Sequence, residues 1–256
     1  SARVFEGAFY PRALFEKYLS SVPGATLTHA LLAVCGEAMR RYLDRHGEMN
    51  EPSLQALLEV NVRNAGAHAL IGNRIAINQI ELHIPVTYPV GRLQAIYTAK
   101  KELQSIENAE LTSFRLRSLY ENVPAPLLAW MGKLSNQKNS VNRAVMTGGN
   151  LGLAELQGAD KPLYLLGARL HGFTSISPLY SGCGLMFSAS TYADTVGLTF
   201  TSDREMMPDP ETMRECLDEA IAEIAKLKSS RPKRAPKKQK ATKPSRRPKT
   251  GKTLAA

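Results

Sequence analysis

The chain has 256 residues, 43% of them hydrophobic, with 33 Lys and Arg against 23 Asp and Glu and a formal net charge of +10. The apolar share suffices for a packed core and excludes a wholly disordered chain. No window approaches ~18 uninterrupted apolar residues, so no membrane-crossing helix is expected, and no basic segment followed by an apolar run marks a signal peptide.

Arg3 to Tyr10 reads as a short strand, and Pro11 to about Ser20 as a helix opened by proline. Ser21-Val22-Pro23-Gly24 breaks it. Thr26 is a suitable N-cap. Behind it Leu27, Leu31, Val34, Cys35, Ala38, Met39 and Tyr42 recur at helical spacing, and the pattern ends near Gly47. The stretch from Leu54 to Ile84 organises the rest. Leu57 to Val62 is short, apolar and β-branched towards its end, which suits a buried strand. Arg74 to Ile84 alternates in steps of two, with one slip near Gln79 that predicts a β-bulge. Asn61, Arg63 and Asn73 lie inside or beside these strands. Once buried they need partners, and a strand end is where α/β proteins place their clefts. Ordinary polar residues beside a turn explain the same spacing. Pro85 and Pro89 stop the second strand.

Three further helices are predicted over Arg92–Glu107, Leu111–Tyr120 and Pro126–Leu134. Val141 to Met146 reads as a strand and Thr147-Gly148-Gly149-Asn150 as a tight turn. Leu163–Leu170, Gly184–Tyr192 and Val196–Ser202 are predicted strands, the last two joined by a hairpin turn at Ala193-Asp194. Asp209 and Pro210 open a final helix with an apolar stripe through Met213, Cys216, Leu217, Ala220, Ile221, Ile224 and Leu227. The whole predicts an α/β unit over 1–228, a mixed β-sheet covered by helices. Beyond Lys228 the apolar pattern ends. Residues 229–256 carry eleven Lys and Arg and no acid, leaving 22 basic and 23 acidic residues in 1–228. Their composition predicts a disordered basic tail.

Few residues form a recognisable catalytic pattern. The five histidines, His29, His46, His68, His83 and His171, are scattered. No Gly-x-Ser-x-Gly elbow occurs. Gly182-Cys183-Gly184 has no histidine nearby to activate the thiol. Cys35, Cys183 and Cys216 lack metal-ligand spacing and read as buried, reduced thiols. No metal and no cofactor is expected. Gly251-Lys252-Thr253 imitates the end of a phosphate loop, but Arg246 stands where the first glycine belongs. The strongest local signal is the tail. Arg231, Lys233, Arg234, Lys237, Lys238, Arg246 and Arg247 would attract a polyanion, whether anionic lipid, polyphosphate or nucleic acid. A solubilising extension accounts for the same composition.

Several segments in order resemble the C-terminal half of the bacterial wax ester synthase/acyl-CoA:diacylglycerol acyltransferase family. They are Ala25-Thr-Leu-Thr-His-Ala-Leu-Leu-Ala-Val, Ala38-Met-Arg-Arg-Tyr-Leu, Val60-Asn-Val-Arg, Gly72-Asn-Arg-Ile and Arg92-Leu-Gln-Ala-Ile. Leu166-Gly-Ala-Arg-Leu, Ser177-Pro178, Gly184-Leu185-Met186, Ser190-Thr-Tyr and Asp203…Pro208-Asp209 continue the order. The resemblance implies one lobe of a two-lobed, chloramphenicol-acetyltransferase-like fold with a tunnel between the lobes. It implies acyl-CoA as substrate, a long-chain alcohol or diacylglycerol as acceptor, and a cytoplasmic protein held peripherally at a membrane or lipid-droplet surface. The family's His-His-x-x-x-Asp-Gly, whose second histidine is the expected base, does not occur in this sequence. Where the family has Asn-Asp at the start of its long helix, Thr28 and His29 stand here. The family's Ser-Asn-Val-Pro-Gly-Pro loop is replaced by Thr147–Gly152. On this resemblance Thr28, His29, Asn61, Arg63, Gly72 and Asn73 are the residues expected to line or support the tunnel. The departures leave a second expectation open, a non-catalytic domain of the same architecture that binds lipid or a partner. A third rests on the tail alone and makes the protein nucleic-acid-associated.

Overall fold

The structure, a computed structural model, describes residues 2–49, 54–61, 75–109, 123–127, 129–130, 149–179 and 183–227. Strand β1 (Arg3–Pro11) runs directly into α1 (Arg12–Leu19). Pro11 is the last residue of the strand and precedes the helix it was expected to open. Helix α2 (Leu27–His46) starts after Thr26 in extended conformation and stops at Gly47, whose φ of 68° is left-handed. There the Glu48 N–H closes back on the Leu43 carbonyl and satisfies the last turn. The next elements are β2 (Gln55–Asn61), β3 (Ile75–Glu81) and α3 (Pro89–Ala109). They are followed by β4 (Leu151–Gln157), β5 (Tyr164–Leu165), β6 (Ala168–Arg169), β7 (Leu185–Tyr192), β8 (Thr195–Asp203) and α4 (Pro210–Lys226).

Among the described residues six strands form one mixed sheet in the order β1-β8-β7-β4-β2-β3, and β5 pairs with β6. The parallel pairs are β2/β4 and β4/β7, and the other pairs are antiparallel. Helices α1 to α4 bury their apolar side chains against one face. Leu31, Leu32 and Val34 of α2 and Met213, Leu217 and Ile221 of α4 share a core with Leu58, Leu153, Phe187, Leu198 and Phe200 of the strands. The opposite face keeps a much smaller apolar cluster, Ala154, Cys183 and Met186 with Leu179.

Several sequence expectations need correction. The register from Gln55↔Glu81 to Asn61↔Ile75 is continuous, so no bulge falls at Gln79. Ile80 is buried, whereas Ile77 is 53% exposed on the other face, so two apolar faces of one regular strand imitated a slip. Pro89 is the first residue of α3, three residues before the expected start, because a helix tolerates proline where no N–H is needed. Leu151–Gln157, to which the sequence reading assigned no element, is β4, a strand in the middle of the sheet. The expected strand Leu163–Leu170 is split by a turn with Leu166 at φ 49° and Gly167 at φ 83°. Residues 125–127 and 129–130 are helical within the expected Pro126–Leu134 helix. The expected helix Leu111–Tyr120, the strand Val141–Met146, the Thr147–Gly148 part of the turn and the tail lie outside the described residues. β1, α2, β7, β8, the Ala193-Asp194 turn and α4 fall where periodicity and capping put them.

Candidate functional site at the start of helix α2

The three mutually parallel strands, β2, β4 and β7, end on one side of the sheet, at Asn61, Gln157 and Tyr192. The α2 N-terminus reaches this side. Thr28 Oγ1 donates to Glu155 Oε2 at 2.7 Å, tying the first turn of α2 to the last residues of β4. Both groups are solvent-accessible, so the tie is an orienting contact with modest energy.

His29 is turned the other way and is only 6% exposed. Its Nδ1 accepts the Thr26 backbone N–H at 2.9 Å and lies 2.7 Å from Thr26 Oγ1. The imidazole thus fills the third-residue place of a capping box, usually held by Glu or Gln. Burial, helped by the Lys100 charge and opposed by the Thr26 bond, lowers its pKa to about 4. A neutral ring with Nδ1 as acceptor carries its proton on Nε2. The ring sits 5.5 Å from that of Tyr97 on α3, tilted by 59°. His29 therefore anchors the helix start.

Of the residues expected at the site, the structure brings Thr28 and His29 together and puts the backbone of Asn61 at the same strand-end side. Arg63, Gly72, Asn73 and the tail residues Arg231, Lys233, Arg234, Lys237, Lys238, Arg246 and Arg247 lie outside the described residues. Glu155 was not singled out by sequence; 127 residues separate it from Thr28, and no local pattern joins them.

Two other polar clusters support the lobe. Glu37, Arg92, Arg40 and Arg41 form a buried ion network under the helices. Arg92 Nη1 lies 2.6 Å from Glu37 Oε2, with side-chain exposures of 1% and 5%. Arg40 and Arg41 also bind Glu37, and Arg41 continues to Glu219 and Glu223 on α4. Burial raises the Glu37 pKa, but the hydrogen bonds and charges of Arg40 and Arg92 outweigh it and hold the carboxyl below its ordinary value. Among the described residues Arg92 Nε and Nη2 find no hydrogen-bond partner. Arg92 lines a cavity together with Tyr18, Glu37 and Glu223, with room for about one water (≈ 10 Å³). The second cluster lies on the opposite sheet face. Ser190 donates to the Phe173 carbonyl, Ser177 and Ser188 hydroxyls meet at 2.6 Å, and Thr199 donates to the Ser175 carbonyl at 2.8 Å. Gly197 leaves room for this strap, since a Cβ there would meet the Phe173 carbonyl oxygen at 2.9 Å.

The thiols offer no nucleophile. Cys35, Cys183 and Cys216 are free and buried, and burial raises all three pKa values. Cys183 Sγ donates to the Leu185 carbonyl at 3.1 Å. Among the described residues no helix is long and apolar enough to cross a membrane.

Comparison with known proteins places this geometry. The WS/DGAT C-terminal domain model matches residues 71–225. A Mycobacterium tuberculosis protein provisionally named a diacylglycerol O-acyltransferase is 28% identical over 206 residues, covering 78% of this chain and 39% of that protein. The O-acyltransferase WSD of Acinetobacter baylyi is 23% identical over 225 residues, covering 86% of this chain and 46% of that protein. The solved wax ester synthase/diacylglycerol acyltransferase of Marinobacter aquaeolei VT8 superposes with a TM-score of 0.63 at 20% identity, over 88% of this chain and 50% of that chain. The PapA2 acyl transferase superposes with a TM-score of 0.52 at 9% identity, over 88% of this chain and 45% of that chain. The chain thus spans less than half the length of these curated relatives and about half of the Marinobacter chain. Its mixed sheet with helices on one face is one lobe of the chloramphenicol-acetyltransferase-like architecture. With more than half of its residues matched by the family model, the chain belongs to the WS/DGAT C-terminal domain family.

Proposed function

We propose that this chain is the C-terminal part of an O-acyltransferase that moves an acyl group from acyl-CoA to a long-chain alcohol or a diacylglycerol. The observation that carries the reading is the family match over residues 71–225, on a lobe whose fold superposes on half of a wax ester synthase. A histidine of a His-His-x-x-x-Asp-Gly segment, supplied by a second lobe, takes the acceptor hydroxyl proton. The oxygen attacks the thioester carbonyl, the C–S bond breaks, and CoA leaves as the thiol. Residues 1–228 supply one wall of the tunnel. The tie from Thr28 to Glu155 and the neutral, capping His29 fix the start of α2 beside the parallel strand ends. Asn61, Arg63, Gly72 and Asn73 shape the adjoining strand ends. This sequence holds no His-His-x-x-x-Asp-Gly segment, so the chain alone is expected not to turn over.

The eleven Lys and Arg of residues 229–256 hold the protein at an anionic lipid surface. Each Lys or Arg there contributes about 1 kcal/mol at low salt. Acyl-CoA is a substrate here, and the reaction uses no cofactor.

A second reading is favoured by one observation: Thr28 and His29 occupy the positions where the family carries Asn-Asp. On that reading the domain binds lipid or a partner without catalysis. Release of free CoA from acyl-CoA plus hexadecanol or diacylglycerol separates the two. The chain joined to the polypeptide encoded upstream of Ser1 is expected to turn over, and the chain alone is not. A folded longer polypeptide without turnover favours the second reading. Turnover by the chain alone contradicts the placement of the base.

A further inference from the structure

Strands β2 and β4 separate before either one ends. Their parallel pairing runs through Ala56↔Leu151, Leu57↔Gly152 and Leu58↔Leu153 and then stops. Beyond that point β2 keeps β3 as its neighbour as far as Asn61↔Ile75, and β4 keeps β7 as far as Gln157↔Thr191. The sheet therefore forks into two ribbons, one of β2 and β3, the other of β4, β7, β8 and β1. A wedge-shaped gap lies between Glu59–Asn61 and Ala154–Gln157, and it opens on the side reached by the start of α2, where Thr28 bonds Glu155.

Exposure gives an independent observation. β4 lies in the middle of the sheet, yet its last three residues are exposed, Leu156 by 43%. Strands with parallel neighbours on both sides ordinarily bury such positions. Strand backbone groups also need partners. Among the described residues no strand supplies them to the β2-facing edge of Ala154–Gln157. A strand edge of this kind takes up an extended chain through main-chain hydrogen bonds. A peptide strand inserted between two others needs about 4.8 Å on each side. A wedge that closes at Leu58 and Leu153 gives that room only at its mouth. A thin chain with amides and few side groups reaches further in.

We infer that the gap between β2 and β4 holds the pantetheine arm of an acyl-CoA, laid in as an added strand. The inference rests on the acyl-CoA reading above and assigns the place of the arm within this lobe. The arm is extended, and each of its amides carries one N–H donor and one carbonyl acceptor, the complement of a strand edge. Leu151 and Leu153 belong to the helix-covered core and Ala154 to the cluster on the other face, so Leu156 flanks the gap on the face away from the helices. There it offers the apolar stretches of the arm a surface to cover.

The test is amide hydrogen exchange over residues 59–61 and 154–157. It is read in this chain and in the continuous polypeptide that includes the region encoded upstream of Ser1. S-hexadecanoyl-pantetheine and hexadecanoyl-CoA are each expected to slow exchange there on the order of tenfold at saturation. Hexadecanoate, which lacks the arm, and adenosine 3′,5′-bisphosphate, which keeps only the nucleotide end, are expected to leave it unchanged. Equal slowing by hexadecanoate puts the acyl tail in the gap, and slowing by the bisphosphate puts the nucleotide there; either overturns the inference. Exchange already slow in the ligand-free longer polypeptide shows that a segment of that polypeptide fills the gap, and overturns it too. So does the lack of any slowing in both polypeptides. CoA release is measured on the same longer polypeptide. Turnover without slowed exchange sinks the placement of the arm and leaves the proposed function standing. Slowed exchange without turnover keeps the placement and favours the non-catalytic reading.

Discussion

The two faces of the sheet are built on different rules. The helix-covered face is sealed: Phe187, Phe200, Leu58 and Leu153 pack against α2 and α4, and the buried Arg92 there is paired with Glu37. The opposite face is held in its middle by hydroxyls bonded to the strap of residues 173–177 and leaves Phe5, Phe9 and Ile77 bare at its outer strands. One face therefore carries the stability of the lobe, while the other keeps apolar side chains at a solvation cost that stability does not require.

The comparison breaks most readily at the ion network. Glu37→Ala leaves Arg92 charged and buried without its carboxylate, and is expected to cost about 3–5 kcal/mol in urea unfolding. A cost under about 1 kcal/mol would show that water already solvates the network. Acid comes next. The His29 pKa is lowered from 6.5 to about 4, so the unfolded chain binds a proton before the folded one does. Stability present above pH 6.5 is then lost as pH falls towards 4, by on the order of 2–3 kcal/mol. Glu37, also held low, adds a further loss in the carboxylate range. His29→Gln keeps a capping-box residue and is expected to flatten the profile between pH 6.5 and 4. An unchanged profile would contradict the buried, neutral ring. On the open face, Ser190→Ala leaves the Phe173 carbonyl without its donor and is expected to cost about 1–3 kcal/mol. Thr28→Ala, which removes an exposed tie, is expected to cost under about 1 kcal/mol while lowering turnover of the longer polypeptide.

How much of this the sequence revealed follows the same division. α2 and α4 were legible because a buried stripe at helical spacing sits between Thr26 and Gly47, and behind Asp209-Pro210. β7 and β8 were legible from their paired runs about Ala193-Asp194. β4 was not, since Leu151-Gly-Leu-Ala is too short to separate from the glycine turn before it, and only its parallel neighbours make it a strand. β3 looked irregular because Ile77 faces out, beside neighbours that face in. Arg92 reads as a solvated helix charge until Glu37, 55 positions earlier, is packed on it. Thr28 and His29 stood out only through resemblance to a family. Their roles depend on Glu155 and on the Thr26 amide, and no periodic pattern expresses the first of these contacts.

The division between the faces is tested most directly by urea unfolding of two variants of this chain side by side. Phe187→Ala, on the sealed face, is expected to lose about 3–5 kcal/mol. The double variant Phe5→Ser/Phe9→Ser, on the open face, is expected to remain within about 1 kcal/mol of the parent. Comparable losses in the two would mean that the bare phenylalanines belong to the core of this lobe, and would contradict the account.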